Sequence, residues 1–521
     1  MKNLICPYCF EPFTDEEVHF RSEYVSPDEF PFPEGYDDIQ DFRTRYRGSD
    51  RDQLLEAYDV WEVFRPAISP KYEKFWAGFS EKKDQFKTTE KEPAAKYFGV
   101  EPYKRPVLDP GSPVHQKFLR PQKDGFFIRD ENGMVSQIQL KTGEKCIRRV
   151  CPHCHNPLPD GYGAHRVRFV SVIGITGAGK TVYFSQLLKR MDKYAFAIGM
   201  SSTTTTASVQ NFLEQNGVEK QKPLPTSTPL REMQQPLFYD MTYSVSSTHK
   251  ETETLVLYDV PGEVFDPKKM ALLPLYAPYI QHADGLILLI SPDQFEVVAQ
   301  LHEGTRQLSD AQTALQAIHS TVVGGGTEKC TRPLAICVAQ ADQPRIQAVL
   351  SPSLRDKLLS DVRSITGRDG RPAPFFNGND YNLLYTELQD FILNADPVLD
   401  NTAHTNYLHY SYFAFTALGC EVKRNEEQGF DYPVGPVLPK RIEEPLYWLL
   451  YKLGYMGTQG IPLSDPLCCP NCHSYEGPDP LPEDHQYVEG RRWFFFPHKI
   501  PATHICHKCG HHWVQEEGGQ G

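Results

Sequence analysis

The sequence predicts an α/β fold, a mostly parallel sheet with helices on both faces, joined to small cysteine-ribbon modules at both ends. Three observations predict it. Between residues 166 and 457, apolar strand-like runs alternate with helical segments, the arrangement that gives a parallel sheet covered on both sides. Residues 167–173 are β-branched and apolar, and a glycine-rich loop separates them from a segment with Val182, Tyr183, Leu187 and Leu188 at helical spacing. Eight of the thirteen cysteines fall into four CxxC pairs outside this region.

The chain divides by these signals into an N-terminal part (1–165), the α/β part (166–457) and a C-terminal part (458–521). With 521 residues and 40% hydrophobic composition it has material for several cores. Its 67 acidic against 54 basic residues, a net charge of −13, argue against a general nucleic-acid or anionic-membrane surface. Protein partners or self-association, through the aromatic and charged residues 10–150 or the cysteine ribbons, suit that balance better. No apolar run has the length of a membrane span, and the start MKNLICPYCF lacks the apolar stretch of a secretory signal. The expectation is a soluble, cytoplasmic protein.

In chain order, Cys6/Cys9 in CPYCFEPF and Cys151/Cys154 in CPHCHNPLP come first. Two thiolates two residues apart make a tight knuckle, and two knuckles complete a tetrahedron around Zn²⁺. The two motifs match each other and have no nearer CxxC partner, so they read as one zinc ribbon split by residues 10–150. A redox dithiol, or two separate sites each completed by a histidine such as His19 or His155, are the alternatives. Cys469/Cys472 with Cys506/Cys509 form a second expected Zn²⁺ ribbon. Cys146, Cys330, Cys337 and Cys420 read as small apolar packing residues. Within 10–150 a helix is expected around 52–64, and a three-stranded meander leads into Cys151.

Gly174, four residues, then Gly179-Lys180-Thr181 is the phosphate-binding loop in its strand-to-helix setting. Gly177, Ala178 and Gly179 let backbone N–H groups curl round an anion, and the following helix presents its positive end. Lys180 is placed for the β- and γ-phosphates and Thr181 for Mg²⁺. Strands are expected at 236–244, 254–258, 285–290, 334–338 and 412–415, with a closing helix in EEPLYWLLYKLG. Residues 201–229 read as a loop or loosely held helix. TLVLYDVPGE sets Asp259 at a strand end, about 80 residues after the phosphate loop, with Gly262 three residues on; there a carboxylate holds Mg²⁺ and a glycine N–H meets the γ-phosphate.

AQAD at 339–342 and TAL at 416–418 follow two further strands. With these, residues 166–457 resemble the Ras-like P-loop GTPases of the translation-factor-related class. The added cysteine ribbons resemble the double-GTPase group associated with bacterial conflict systems. The resemblance implies GTP and GDP as ligands, with Mg²⁺, and a nucleotide-regulated switch with slow hydrolysis. It implies that Asp342 accepts hydrogen bonds from guanine N1 and N2 groups, that Gln340, in place of a lysine, covers the base, and that Ala417 and Leu418 supply the loop that meets the guanine oxygen. Ala339 departs from the usual polar brace. The implied switch threonine is Thr228, with Thr226 and Thr203 to Thr206 as alternatives. Glu263 stands where a glutamine usually orients the attacking water, and Arg231 is a candidate cation in cis. A nucleotide-binding scaffold without turnover, and a zinc-ribbon RNA-associated GTPase or ATPase, remain as other readings.

Overall fold

The computed structural model describes residues 2–22, 30–63, 70–77, 107–175, 177–225, 234–245, 248–265, 273, 277–299, 310–367, 369–458, 485–488, 503–506 and 512–514. The chain separates into two compact units, Met1–Val167 with Arg231–Pro236, and Arg168–Leu230 with Leu237–Gly521.

In the first unit, Asn3–Ile5 pairs antiparallel with Pro12–Thr14, which holds the first CxxC in a hairpin. His19–Arg21 lies between Val107–Leu108 and Arg148–Val150 in a second sheet. The expected meander is present as Phe127–Arg129, Val135–Gln139 and Lys145–Cys146, all antiparallel. A helix spans Arg51–Val63, and a cluster of rings from Phe30, Phe32, Phe42, Tyr58 and Trp61 packs beside it at centroid spacings of 5.2 to 5.7 Å. Arg129 closes the unit by pairing with Asp15 at 2.9 Å and Glu16 at 2.6 Å.

The second unit is built on a seven-stranded sheet: β1 (Arg166–Gly174), β2 (Ser201–Thr204), β3 (Leu237–Ser244), β4 (Lys250–Val260), β5 (Gly285–Ile290), β6 (Leu334–Val338) and β7 (Tyr410–Ala414). Its order is β2-β3-β4-β1-β5-β6-β7. β1 pairs parallel with β5, β5 with β6, and β6 with β7. β2, β3 and β4 pair antiparallel in succession. Every residue of β5 and β6 is buried, as expected for strands covered on both faces. The helices of this unit include α1 (Lys180–Lys189), α2 (Ser208–Asn216), α3 (Asp310–Val323), α4 (Gly378–Ala395), α5 (Pro397–Asn406) and α6 (Glu444–Leu453). α6 packs on β5 and β6, α4 on β7, and α1 on β4.

After β1 the chain fills one side of the sheet and then crosses to the other, so the reversal lies at the C-terminal end of β1, where open α/β sheets bind ligands. Three strand expectations need adjustment. β4 begins at Lys250 rather than 254, because its polar first residues are held by pairing with β3. The last strand runs Tyr410–Ala414. Residues 201–204, expected in a loop, form β2 at the sheet edge by pairing with Thr242 to Tyr239. Near the C-terminus, His485–Val488, Thr503–Cys506 and His512–Val514 form an antiparallel three-stranded sheet. Among the described residues no helix is long and apolar enough to cross a membrane.

α6 is anchored by a buried ion pair, Arg441 Nη1 to Glu444 Oε1 at 2.9 Å, with both side chains 3% exposed. Burial pushes the Glu444 carboxyl up to about 7 against the opposing pull of Arg441, and its Oε2 has no hydrogen-bond partner. A carboxyl raised this way contributes stability that is complete below its unfolded value, about 4.3, and lost as pH rises through about 7. That loss amounts to at most about 4 kcal/mol. Thermal melts of wild type and Glu444→Gln at pH 5.5 and 8 test this: the variant's midpoint should gain on wild type at the higher pH, and parallel pH profiles would contradict the assignment.

Candidate nucleotide site and cysteine centre

The glycine-rich loop leaves β1 at Gly174 and enters α1 at Lys180. Gly177 and Gly179 hold φ of +82° and +70°, in the left-handed region that L side chains rarely adopt. Gly179 is the N-cap of α1 and offers no side-chain cap, which leaves the first N–H groups of the helix for an anion. Lys180 and Thr181 are each 7% exposed and Ala178 1% exposed, so the loop sits against the core.

Asp259, in β4, is 4% exposed and its Oδ1 accepts from the Lys180 ammonium. Burial lowers the Lys180 ammonium from its ordinary value, and the Asp259 carboxylate opposes that shift. Immediately beyond β4, Gly262 touches the phosphate loop. A Cβ built there would lie 2.6 Å from the Gly174 carbonyl oxygen. The two phosphate-side motifs therefore meet backbone to backbone and side chain to side chain.

The other two motifs arrive at the ends of neighbouring strands. Ala339 N–H donates to Ile290 O and Ala341 N–H to Phe415 O, each at 3.0 Å, which locks 339–342 between the ends of β5 and β7. Burial pushes the Asp342 carboxyl up, opposed by a hydrogen bond with the Thr416 side chain. Gln340, at φ +54°, donates from Nε2 to the Gly177 carbonyl at 2.9 Å. Ala417 is buried and Leu418 half-buried, and the Leu418 carbonyl accepts from Leu438 N–H at 2.7 Å. Gly174, Gly177, Ala178, Gly179, Lys180, Thr181, Asp259, Gly262, Gln340, Asp342, Ala417 and Leu418 thus lie along one edge of one sheet.

Thr226, Thr228 and Arg231 lie outside the described residues, as does the side chain of Glu263. Thr203 and Thr204 stand in β2, paired with Asp240 and Tyr239. One contact was not legible from the sequence. A hairpin, Val422–Asn425 with Phe430–Pro433, follows the TAL loop, and it accepts hydrogen bonds from Gln221 N–H (to Pro433 O, 2.9 Å) and Leu224 N–H (to Asp431 O, 2.8 Å). The segment that runs towards position 228 is tied to that hairpin.

In the first unit, the sulfurs of Cys6, Cys9, Cys151 and Cys154 all lie within 4.8 Å of one another. Cys6–Cys154 and Cys9–Cys151 are each 3.7 Å apart. A tetrahedron with metal–sulfur bonds of about 2.3 Å has edges of about 3.8 Å. The two knuckles repeat each other. Phe10 N–H donates to Cys6 O and His155 N–H to Cys151 O, both at 3.0 Å. Tyr8 N–H and His153 N–H reach the first sulfur of their own knuckles at 3.4 and 3.3 Å. Phe10 and His155, each just after the second cysteine, share a left-handed φ of 58° and 56°. Burial raises the Cys6 and Cys154 thiols, whereas against its own burial Cys151 is pulled down by hydrogen bonds from the other three. The four sulfurs form a set without His19 or His155; the His155 ring lies by Tyr72 at 5.1 Å. Cys146, Cys330 and Cys337 are buried and Cys420 half-buried. Cys469, Cys472 and Cys509 lie outside the described residues, and so does the side chain of Cys506.

The close approach at Gly262 gives a test that needs no ligand. Gly262→Ala must displace either the phosphate loop or the segment after β4, at about 1–3 kcal/mol. A lowered unfolding midpoint is expected, and an unchanged one would contradict the contact.

Residues 168–376 match the family described as Double-GTPase 2. The chain is 23% identical over 333 residues to the "Putative ESX-1 scaffolding and assembly protein SaeC" of Mycolicibacterium smegmatis, a match covering 59% of this chain and 80% of that protein. Solved structures with overlap include Sup35 complexed with GMPPNP, at 13% identity and a TM-score of 0.21 over 49% of this chain and 38% of that one. A GTP-binding protein from Sulfolobus solfataricus in complex with GDP overlaps at 13% identity and a TM-score of 0.20, over 54% of this chain and 52% of that one. The chain spans only about half or less of those two structures, and at these scores they add nothing to the fold. The family match and the geometry of the loop agree: residues 168–376 carry a nucleotide-binding P-loop domain of the double-GTPase type.

Proposed function

We propose that residues 166–457 bind GTP and GDP with Mg²⁺, hydrolyse GTP slowly, and act as a switch read by a protein partner through the cysteine-bearing modules. The observation that carries this reading is the convergence of Lys180, Asp259 and Gly262 on the start of α1. Lys180 and Asp259 lie as a buried pair at that point. On binding, the ammonium turns to the β- and γ-phosphates, and N–H groups from Gly177 to Thr181 donate to the phosphate oxygens. The Thr181 hydroxyl and Asp259 carboxylate are hard oxygen donors suited to Mg²⁺, which when bound neutralises developing phosphate charge. Asp342, ionised, accepts from guanine N1 and N2, with Ala417 and Leu418 at the guanine oxygen. Thr228 is assigned to the γ-phosphate-dependent switch and Glu263 to orienting water. A carboxylate beside three phosphates is repelled by them, which is the reason to expect a slow rate.

Cys6, Cys9, Cys151 and Cys154 are assigned to one structural Zn²⁺. The all-thiol donor set, the sulfur spacing and the N–H···S bonds suit a closed tetrahedral site. Cys469, Cys472, Cys506 and Cys509 are assigned to a second. The similarity to a protein named for scaffolding and assembly supports a protein partner, and the net charge of −13 sets nucleic acid behind it. Zinc ribbons at 1–165 and 458–521, flanking the switch domain, are then the contact modules.

Turnover decides this reading. Zinc-loaded full-length protein, with two Zn²⁺ per chain by elemental analysis, should hydrolyse GTP in preference to ATP at about 10⁻³ to 10⁻² s⁻¹. Lys180→Ala should abolish turnover, and Glu263→Gln should change the rate without removing binding. Preference for ATP, or a Lys180→Ala variant as active as wild type, would overturn it.

A further inference from the structure

Gln340 of the AQAD motif and Gln343 just after it make an arrangement that the roles given so far leave unexplained. Gln340 Nε2 donates to Gly177 O, and Gln343 Nε2 donates to Gln340 Oε1. The Gly177 carbonyl accepts and cannot donate, so the Gln340 amide must face it with its NH₂ group. That turns the Gln340 oxygen away, and only a donor can meet it. Gln343 supplies that donor. Gln343 is also the N-cap residue of helix Pro344–Val349, and its side chain makes no cap bond there. Ser, Thr, Asp and Asn are the residues favoured for capping; this position gives its side chain to Gln340 instead. A third amide, Gln347 Nε2, donates to Ala341 O and braces the same loop.

We propose that Gln343 is a positioning residue for nucleotide binding. It fixes the orientation of the Gln340 carboxamide, so that the base-reading loop and the phosphate loop are joined through Gly177 by a chain of neutral amides. The proposal rests on the guanine-nucleotide reading above. A lysine at 340 would make the same link with a charge and would need no orienting neighbour, because an ammonium donates in every direction. With glutamine at 340 the link has a polarity, and Gln343 sets it. The link matters because base and phosphates are read by loops from different strands, and a nucleotide spans both.

The test is a cycle of variants titrated with Mg²⁺·GDP and Mg²⁺·ADP. Gln343→Leu removes the donor without adding charge. Gln343→Glu presents an acceptor to the Gln340 oxygen, and no amide rotation then satisfies both the introduced carboxylate and the Gly177 carbonyl. Each should weaken GDP binding about three- to tenfold and narrow the GDP-to-ADP preference. Adding Gln340→Lys to Gln343→Glu should restore affinity, because the ammonium donates to both acceptors. Gln343→Leu and Gln343→Glu binding GDP within twofold of wild type would overturn the proposal. So would a Gln340→Lys/Gln343→Glu double variant no tighter than Gln343→Glu. A role confined to stability would lower the unfolding midpoint and leave the GDP-to-ADP ratio unchanged. If wild type binds neither nucleotide, the guanine reading fails by itself. The amide chain is then judged by nucleotide-free melts of the same cycle, in which additive midpoint shifts for positions 340 and 343 would reject it.

Discussion

The account depends on one buried contact, the ammonium of Lys180 against the carboxylate of Asp259. Burial removes water from both charges, and each is stabilised by the other. The pair holds together two elements that are distant in sequence, the start of α1 and the end of β4. A polyphosphate with its dication would provide an anion for the lysine and a cation for the aspartate, so the buried pair and the proposed ligand are complementary.

The sheet makes this possible. β1 sits at the centre with β4 on one side and β5 on the other, and the ends of β1, β4, β6 and β7 bring four short motifs to a single edge. Backbone bonds from Ala339 and Ala341 to the neighbouring strand ends hold residues 339–342 at the ends of β5 and β7. The hairpin 422–433 then carries the chain from the TAL loop to the segment at 221–224. The 339–342 loop, the phosphate loop and the approach to position 228 are therefore connected by hydrogen bonds, the Gln340 side chain to Gly177 O among them, rather than by surface ion pairs, which salt would weaken.

Much of this was legible in the residues. β5 and β6 appear with the expected limits because a continuous apolar run between turn residues has few other outcomes in a covered sheet. The pairing of Cys6/Cys9 with Cys151/Cys154 followed from matched motifs, and the repeated knuckle geometry shows why they match. Other features were hidden for identifiable reasons. Ser201 to Thr204 has no apolar pattern and becomes a strand only because β3 offers it an edge. The first residues of β4, Lys-Glu-Thr-Glu, are polar and owe their conformation to the same partner strand. The left-handed turns at Phe10 and His155 carry no glycine to announce them. The Gln343 contact depends on which way an amide faces, and no spacing rule encodes that.

The central claim is that the edge formed by Gly174 to Thr181, Asp259 and Asp342 receives a guanine nucleotide with its metal. Titration calorimetry of folded, zinc-loaded wild-type protein in Mg²⁺, with GDP, GTP and ATP injected separately, measures that directly. One-to-one binding of both guanine nucleotides, with ATP much weaker, is the predicted result. The absence of binding by any of the three, or equal affinity for ATP, would contradict it.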